Sequence, residues 1–371
     1  MPENYSQLAT ELNLTPVYEN EAPLSALRDW CSDHFLSLPD TSEPQNEYQA
    51  LQKLAEDYLD LFPLHNRDIN IPNRNLAGFT PIQWATLKGY KEFLVQHINN
   101  QDPISRRTPL HLAASYGNLE IVQFLLEKKA SNTPDRRGIY PLHLSLTLNM
   151  IEDTPSAKEK KIQTRTEIYK ALKKDKPEVV QKIDSEKKNV AHYMAVYGFN
   201  KLLDELIRTR SKLLLERDLT GLTPAHLTIL AGQTASLILL LKDERIRKLF
   251  NEKGSLLHYA ADVGSQNEIM ACLKAGCDEH APDSNNQTPP MLAVARGNYR
   301  ALSGFNVESL SKARFGENEL TLLHLATRAN IEASQKWLSE NTDLSTVRDK
   351  TGRLPEDYNL EQNLLPSRIF P

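Results

Sequence analysis

Between Thr108 and Ala130 the apolar positions follow the spacing of two short helices rather than of strands. Thr108-Pro109-Leu110-His111 reads as a helix start: threonine caps, and proline suits a first turn whose N–H would have no partner. Leu110, Leu112, Ala113 and Ala114 predict a small apolar helix, and Gly117-Asn118 breaks it. Ile121, Val122, Leu125 and Leu126 then give one apolar face to a second helix. Two helices this short cannot bury both faces alone, so the unit predicts stacking on copies of itself.

The copies are present. Starts in the same phase fall at Thr80, Thr108, Tyr140, Asn189, Thr223, Ser255, Thr288, Thr321 and Leu354, spaced 28, 32, 49, 34, 32, 33, 33 and 33 residues apart. Nine residues after the first eight starts stands glycine or asparagine (Gly89, Gly117, Asn149, Gly198, Gly232, Gly264, Gly297, Asn330), which tolerates the turn between helices. Five residues before a start, Asp135, Asp184, Asp218, Asp283 and Asp349 fall in register. This period, with its Thr-Pro-Leu-His signature, resembles the ankyrin repeat family over residues 73–358. The resemblance implies an all-α solenoid of helix–turn–helix repeats with hairpin loops, about eight repeats and a partial ninth. It does not select a ligand, because repeat arrays present surfaces whose partners depend on a few exposed positions.

Residues 1–72 do not follow the repeat. Pro23–Leu38 and Pro44–Phe62 predict amphipathic helices, read as a cap on the array, with Trp30 and Phe35 the anchors if they instead form a recognition element. The 49-residue spacing places an insertion at 150–183. Within it 153–161 predicts a solvated loop, and 164–174 a helix with Ile168, Tyr169 and Leu172 turned inward, so that the second helix of the third repeat is displaced rather than lost. Leu354 to Tyr358 begins a ninth helix, a C-terminal cap, and 359–371 is a tail.

Charge is uneven. The net of −4 hides thirteen Asp or Glu against three Lys or Arg in residues 1–68, a net of −10, and eleven basic against six acidic residues in 157–188, a net of +5. Such blocks speak of partners more than of fold. No apolar run of about 18 residues predicts a membrane span, and no secretory signal is visible. Three cysteines argue for a reducing, cytoplasmic compartment.

Candidate chemistry is sparse. His111, His143, His192, His226, His258 and His324 lie one per repeat, and helices packed about 8–10 Å apart cannot bring equivalent positions onto one metal ion. The resemblance assigns these histidines to hydrogen bonds between adjacent hairpins. Cys272-x4-Cys277-x2-His280 resembles part of a zinc site, but both cysteines take core positions of the repeat. No nucleotide-binding, hydrolase or kinase motif is present, and no cofactor is expected. The enzyme alternative places catalysis in residues 1–72, with Cys31 as thiol and His34 or His65 as base, and leaves substrate selection to the array.

The remaining candidate is the surface. In the family the contact residues lie on hairpin tips and along the exposed side of the first helix. In this chain those positions give Arg107, Tyr116, Arg136, Arg137, Ile139, Leu148, Lys188, Tyr197, Leu222 and Leu230 over repeats two to five. Arginine and tyrosine around apolar residues is the composition of an interface core. The reading is a monomeric, non-enzymatic scaffold whose partner is a protein with an acidic or mixed apolar-acidic surface. Nucleic acid is disfavoured by the lack of an aromatic platform and by the negative net charge. Degenerate, interrupted repeats with atypical flanks are similar to ankyrin proteins that intracellular bacteria deliver into host cells, which would place the protein in the host cytosol.

Overall fold

The computed structural model describes residues 81–102, 104–148, 154–248 and 256–361. The chain divides into two compact units, 1–185 and 186–371. The predicted anchors of a recognition element, Trp30 and Phe35, and the thiol and bases of the enzyme alternative lie outside the described residues.

Among the described residues the first unit holds three helix pairs: α1 (Pro81–Lys88) with α2 (Lys91–Gln96), α3 (Pro109–Tyr116) with α4 (Leu119–Glu127), and α5 (Pro141–Leu144) with α6 (Pro155–Asp175). α3 shows why the sequence folds this way. Thr108 and His111 form a reciprocal cap at its start, Pro109 occupies the first turn, and Gly117 ends it in the left-handed region (φ 77°). Asn118 caps α4 by accepting from the Ile121 N–H at 3.1 Å. Ile121, Val122 and Leu125 of α4 are buried, whereas Leu126 sits at the edge of the core.

The third repeat departs from its neighbours. α5 stops after four residues, and beyond it the hydroxyls of Ser145 and Thr147 bond back to the carbonyls of Leu142 (2.7 Å) and Leu144 (2.8 Å). Its second helix is the long α6, which packs on α4 and α5 and buries Ile168, Tyr169 and Leu172. The loop expected at 153–161 is helix from Pro155 onward. Thr154 caps it and Pro155 occupies the first turn, a start signal masked by the polar residues that follow. One side chain fastens α6: the Arg165 guanidinium donates to the carbonyls of Ala114, Ser115 (2.6 Å) and Leu144 (3.5 Å). The first two are carbonyls of the last turn of α3, where a cation also meets the negative end of the helix dipole.

The second unit holds five pairs: α7 (Val190–Tyr197) with α8 (Asn200–Arg208), α9 (Pro224–Leu230) with α10 (Thr234–Leu240), and, after the single turn-and-a-half α11 (Glu244–Lys248), α12 (Leu256–Val263) with α13 (Gln266–Lys274). α14 (Pro289–Arg296) with α15 (Tyr299–Leu302), then α16 (Val307–Lys312), and α17 (Leu322–Arg328) with α18 (Glu332–Asn341) complete it. Between α15 and α16 the chain passes so close to α13 that a Cβ on Gly304 would lie 2.6 Å from Ile269 Cβ. The ninth helix expected from Leu354 is instead a 3₁₀ segment, Pro355–Glu361, packed on α17, with Tyr358 Oη donating to Asp349 at 2.6 Å.

Candidate partner-binding surface

The hairpins that precede each first helix are held by a repeated set of bonds. One carboxylate oxygen of Asp135 accepts from the N–H groups of Arg137 (2.8 Å) and Ile139 (3.0 Å). Asp218, Asp283 and Asp349 do the same two and four residues on. Asp102 serves the first described hairpin, one residue out of the register that located the others, bonding the N–H groups of Ile104 and Ser105.

Histidine joins one hairpin to the next. Nδ1 of His111 accepts from the Thr108 N–H (3.1 Å), so Nε2 carries the proton and donates to the Ile139 carbonyl (3.1 Å). His143, His192, His258 and His324 reach the carbonyls of Lys182, Leu222, Gln287 and Arg353 in the same way. Burial lowers His111, His143 and His226 from 6.5 to about 4, which keeps them neutral. Backbone bonds add to the tie within the first unit, from Arg136 N–H to the Ser105 carbonyl (2.8 Å) and from Ser185 N–H to the Arg137 carbonyl (2.7 Å).

On this frame the first unit displays cations. Arg106, Arg136 and Arg137 are exposed, and Ile104 at the same tip is 76% exposed. Arg106 Nε donates to Gln101 (3.1 Å) and Arg136 Nη1 to the Ile104 carbonyl (3.4 Å), and neither meets a carboxylate among the described residues. Arg107 differs, being half-buried and paired with Asp135 at 3.2 Å. Tyr116 lies behind it with its hydroxyl buried and without a hydrogen bond, and burial pushes that phenol above its usual range.

Two expected contact residues are not on the surface. Ile139 is only 5% exposed, because it closes the hairpin whose carbonyl His111 binds. Leu148 is 7% exposed, because α5 ends early and the chain after it turns inward.

The second unit displays a different surface. Lys188 is half-buried and pairs with Glu186 at 2.7 Å, and Tyr197 and Leu222 are half-buried. Leu219 at a hairpin tip is 63% exposed, Leu230 at the end of α9 58% and Val263 at the end of α12 43%. Ile104 and Leu219 stand four residues before their helix starts, and Val263 eight after, so register alone marks all three. Ile104 and Val263 were nevertheless not among the expected contacts. Further along, Asp262 and Arg296 pair at 2.8 Å, which is ordinary solvated surface.

Chemistry elsewhere is muted. Cys272 and Cys277 are both buried, and a hydrogen bond from the Cys272 thiol to Cys277 together with burial pushes the Cys272 thiol well above its usual value. His280 is exposed, and no cluster of three His, Cys, Asp or Glu among the described residues is arranged to hold a metal ion. No described helix is long and apolar enough to cross a membrane.

Known proteins agree with the repeat. The family model for ankyrin repeats, in three copies, matches residues 46–137. It begins well before residue 73, the expected start of the array. An ankyrin repeat protein of Neurospora crassa, nuc-2, is 27% identical over 291 residues, covering 71% of this chain and 27% of that protein. A transient receptor potential cation channel subfamily A member 1 homolog of Caenorhabditis elegans is 24% identical over 192 residues, covering 50% of this chain and 15% of the channel. The chain thus spans about a quarter or less of either relative. Among solved structures, the ankyrin repeat domain of Bcl-3, described as a member of the IkappaB protein family, matches 58% of this chain and 94% of its own at TM-score 0.44 and 19% identity. With its helix pairs, Asp-capped hairpins and histidine ties, the described chain has the all-α architecture of ankyrin repeats, which the family model matches directly over residues 46–137.

Proposed function

We propose that the protein binds a protein partner through the hairpin tips of its first unit, and that the partner presents carboxylates around an apolar side chain. The observation that carries this reading is the pairing of two exposed guanidiniums, Arg106 and Arg136, with a largely exposed isoleucine, Ile104, on hairpins hydrogen-bonded side by side. Guanidiniums bonded only to neutral oxygens keep their charge for a carboxylate, which they can bind in a bidentate fork. Fixed hairpins lose little freedom on association, which favours affinity. In the second unit, Leu219, Leu230 and Val263 are exposed apolar side chains that can add to the contact.

The test is capture from cytosolic extract followed by titration of the purified, captured protein. The R106A/R136A/R137A variant should weaken affinity about tenfold or more, with a loss that shrinks as salt rises. Arg208→Ala, an exposed charge paired with Asp204 on a second helix, should change it less than about twofold. Equal affinity of the triple variant and the unaltered protein would exclude the arginine tips as the site.

A further inference from the structure

The family match leaves residues 1–45 outside it, and these carry eight Asp or Glu against the single Arg28, a net of −7. The same unit of the chain carries the row of exposed arginines at its hairpin tips. We infer that residues 1–45 dock on Arg106 and Arg136 and compete there with the protein partner, so the protein regulates its own surface. This rests on the functional reading above, since it concerns the same arginines.

Three observations converge. The charges are complementary and strongly so on both sides. Forty-five residues reach about 150 Å when extended, so chain length does not prevent the contact. The arginines that would receive the segment are those whose described partners are neutral, Arg106 and Arg136, whereas Arg107 is already matched by Asp135. A segment on the same chain is present at a high effective concentration, so contacts individually too weak to hold a separate peptide suffice together. The sequence of the segment fits the partner chemistry as well. Glu19 and Glu21, then Asp29 and Asp33, flank apolar residues that include Leu24, Leu27 and Trp30. An acidic partner would therefore meet a surface already occupied by its own likeness.

The experiment measures the contact in the full chain. Nitroxide labels go on Cys31, within the segment, and on S185C, at an exposed tip beside Arg137, with mass spectrometry confirming that the buried Cys272 and Cys277 stay unlabelled. Electron–electron resonance should give a short-distance population at physiological salt. That population should fall about tenfold when the screening length drops from about 8 Å to about 3 Å at 1 M salt, and likewise in R106Q/R136Q/R137Q. A second variant, E19Q/E21Q/D29N/D33N/D40N/E43Q, should lose it equally and should bind the captured partner more tightly. Circular dichroism checks that each variant remains folded. Distances identical in all three proteins would overturn the inference while leaving the functional reading standing if the arginine variant still loses its partner. A distance that responds while partner affinity does not would remove the functional reading and keep the segment's contact. A short distance that grows with protein concentration would assign the surface to a second copy and overturn the intramolecular contact.

Discussion

The hairpins of the first unit and those of the second are built alike and present opposite surfaces. In both, an aspartate caps two N–H groups of its own hairpin, and a histidine ties that hairpin to its neighbour. On the first unit this frame carries Ile104 among arginines, and on the second it carries Leu219, while Leu230 and Val263 are exposed at the ends of first helices. The difference teaches that the repeated bonds fixing the hairpins use backbone groups and two side chains that recur in register, an aspartate and a histidine, so the tip residues can vary between repeats without breaking them.

The most damaging way to break the comparison is through the cores that the two units share in kind. Leu125→Ala in the first and Leu237→Ala in the second each remove a fully buried side chain and should cost about 2–5 kcal/mol, read from chemical denaturation. Amide exchange should rise chiefly in the repeats on either side of the substitution. Unchanged midpoints would show that these second-helix positions do not carry the packing.

Acid sharpens it next. His111 and His143 in the first unit and His226 in the second have folded values near 4 against 6.5 in an unfolded chain. Between those values the unfolded state binds more protons, so stability is complete above about pH 6.5 and falls as pH drops toward 4. Each histidine contributes up to about 3 kcal/mol to that loss. His111→Gln should flatten the dependence in the first unit. A stability constant from pH 7 to pH 4 would contradict the neutral-histidine tie.

The smallest effect is a gain confined to the first unit. Asn132 is buried with both amide atoms unpaired, at a place where it holds nothing but a backbone carbonyl to Lys176 (3.2 Å). Asn132→Val should raise stability by about 1–2 kcal/mol, since an unsatisfied buried amide is lost and the carbonyl contact stays. A loss of stability would mean that the amide is satisfied by water or a partner.

Much of this architecture was legible in the sequence, because each repeat carries its own start and stop. Thr108, Pro109 and Gly117 mark α3 without any tertiary information, and the inward turn of Ile168, Tyr169 and Leu172 followed from spacing alone. What stayed hidden depended on neighbours. The early end of α5 is one such case, since the apolar pattern Leu142, Leu144, Leu146, Leu148 continues past it. Ile139 looked like a surface residue because position in the repeat does not reveal that the His111 tie closes over it. The start of α6 at Pro155 was obscured by a run of lysines, although Thr154-Pro155 has the same form as Thr108-Pro109.

The anchoring of α6 has a consequence for how this sequence can change. A Cβ on Gly117 would lie 3.0 Å from Arg165 Nε, so the glycine is required both by its left-handed backbone and by the guanidinium seated beside it. Two sites 48 positions apart therefore constrain one another. While Arg165 holds α6, a side chain at position 117 presses on the guanidinium as well as straining the backbone. A lineage that loses Arg165 frees the space but must find another fastening for α6, so the order in which the two residues mutate decides which descendants keep the inserted helix.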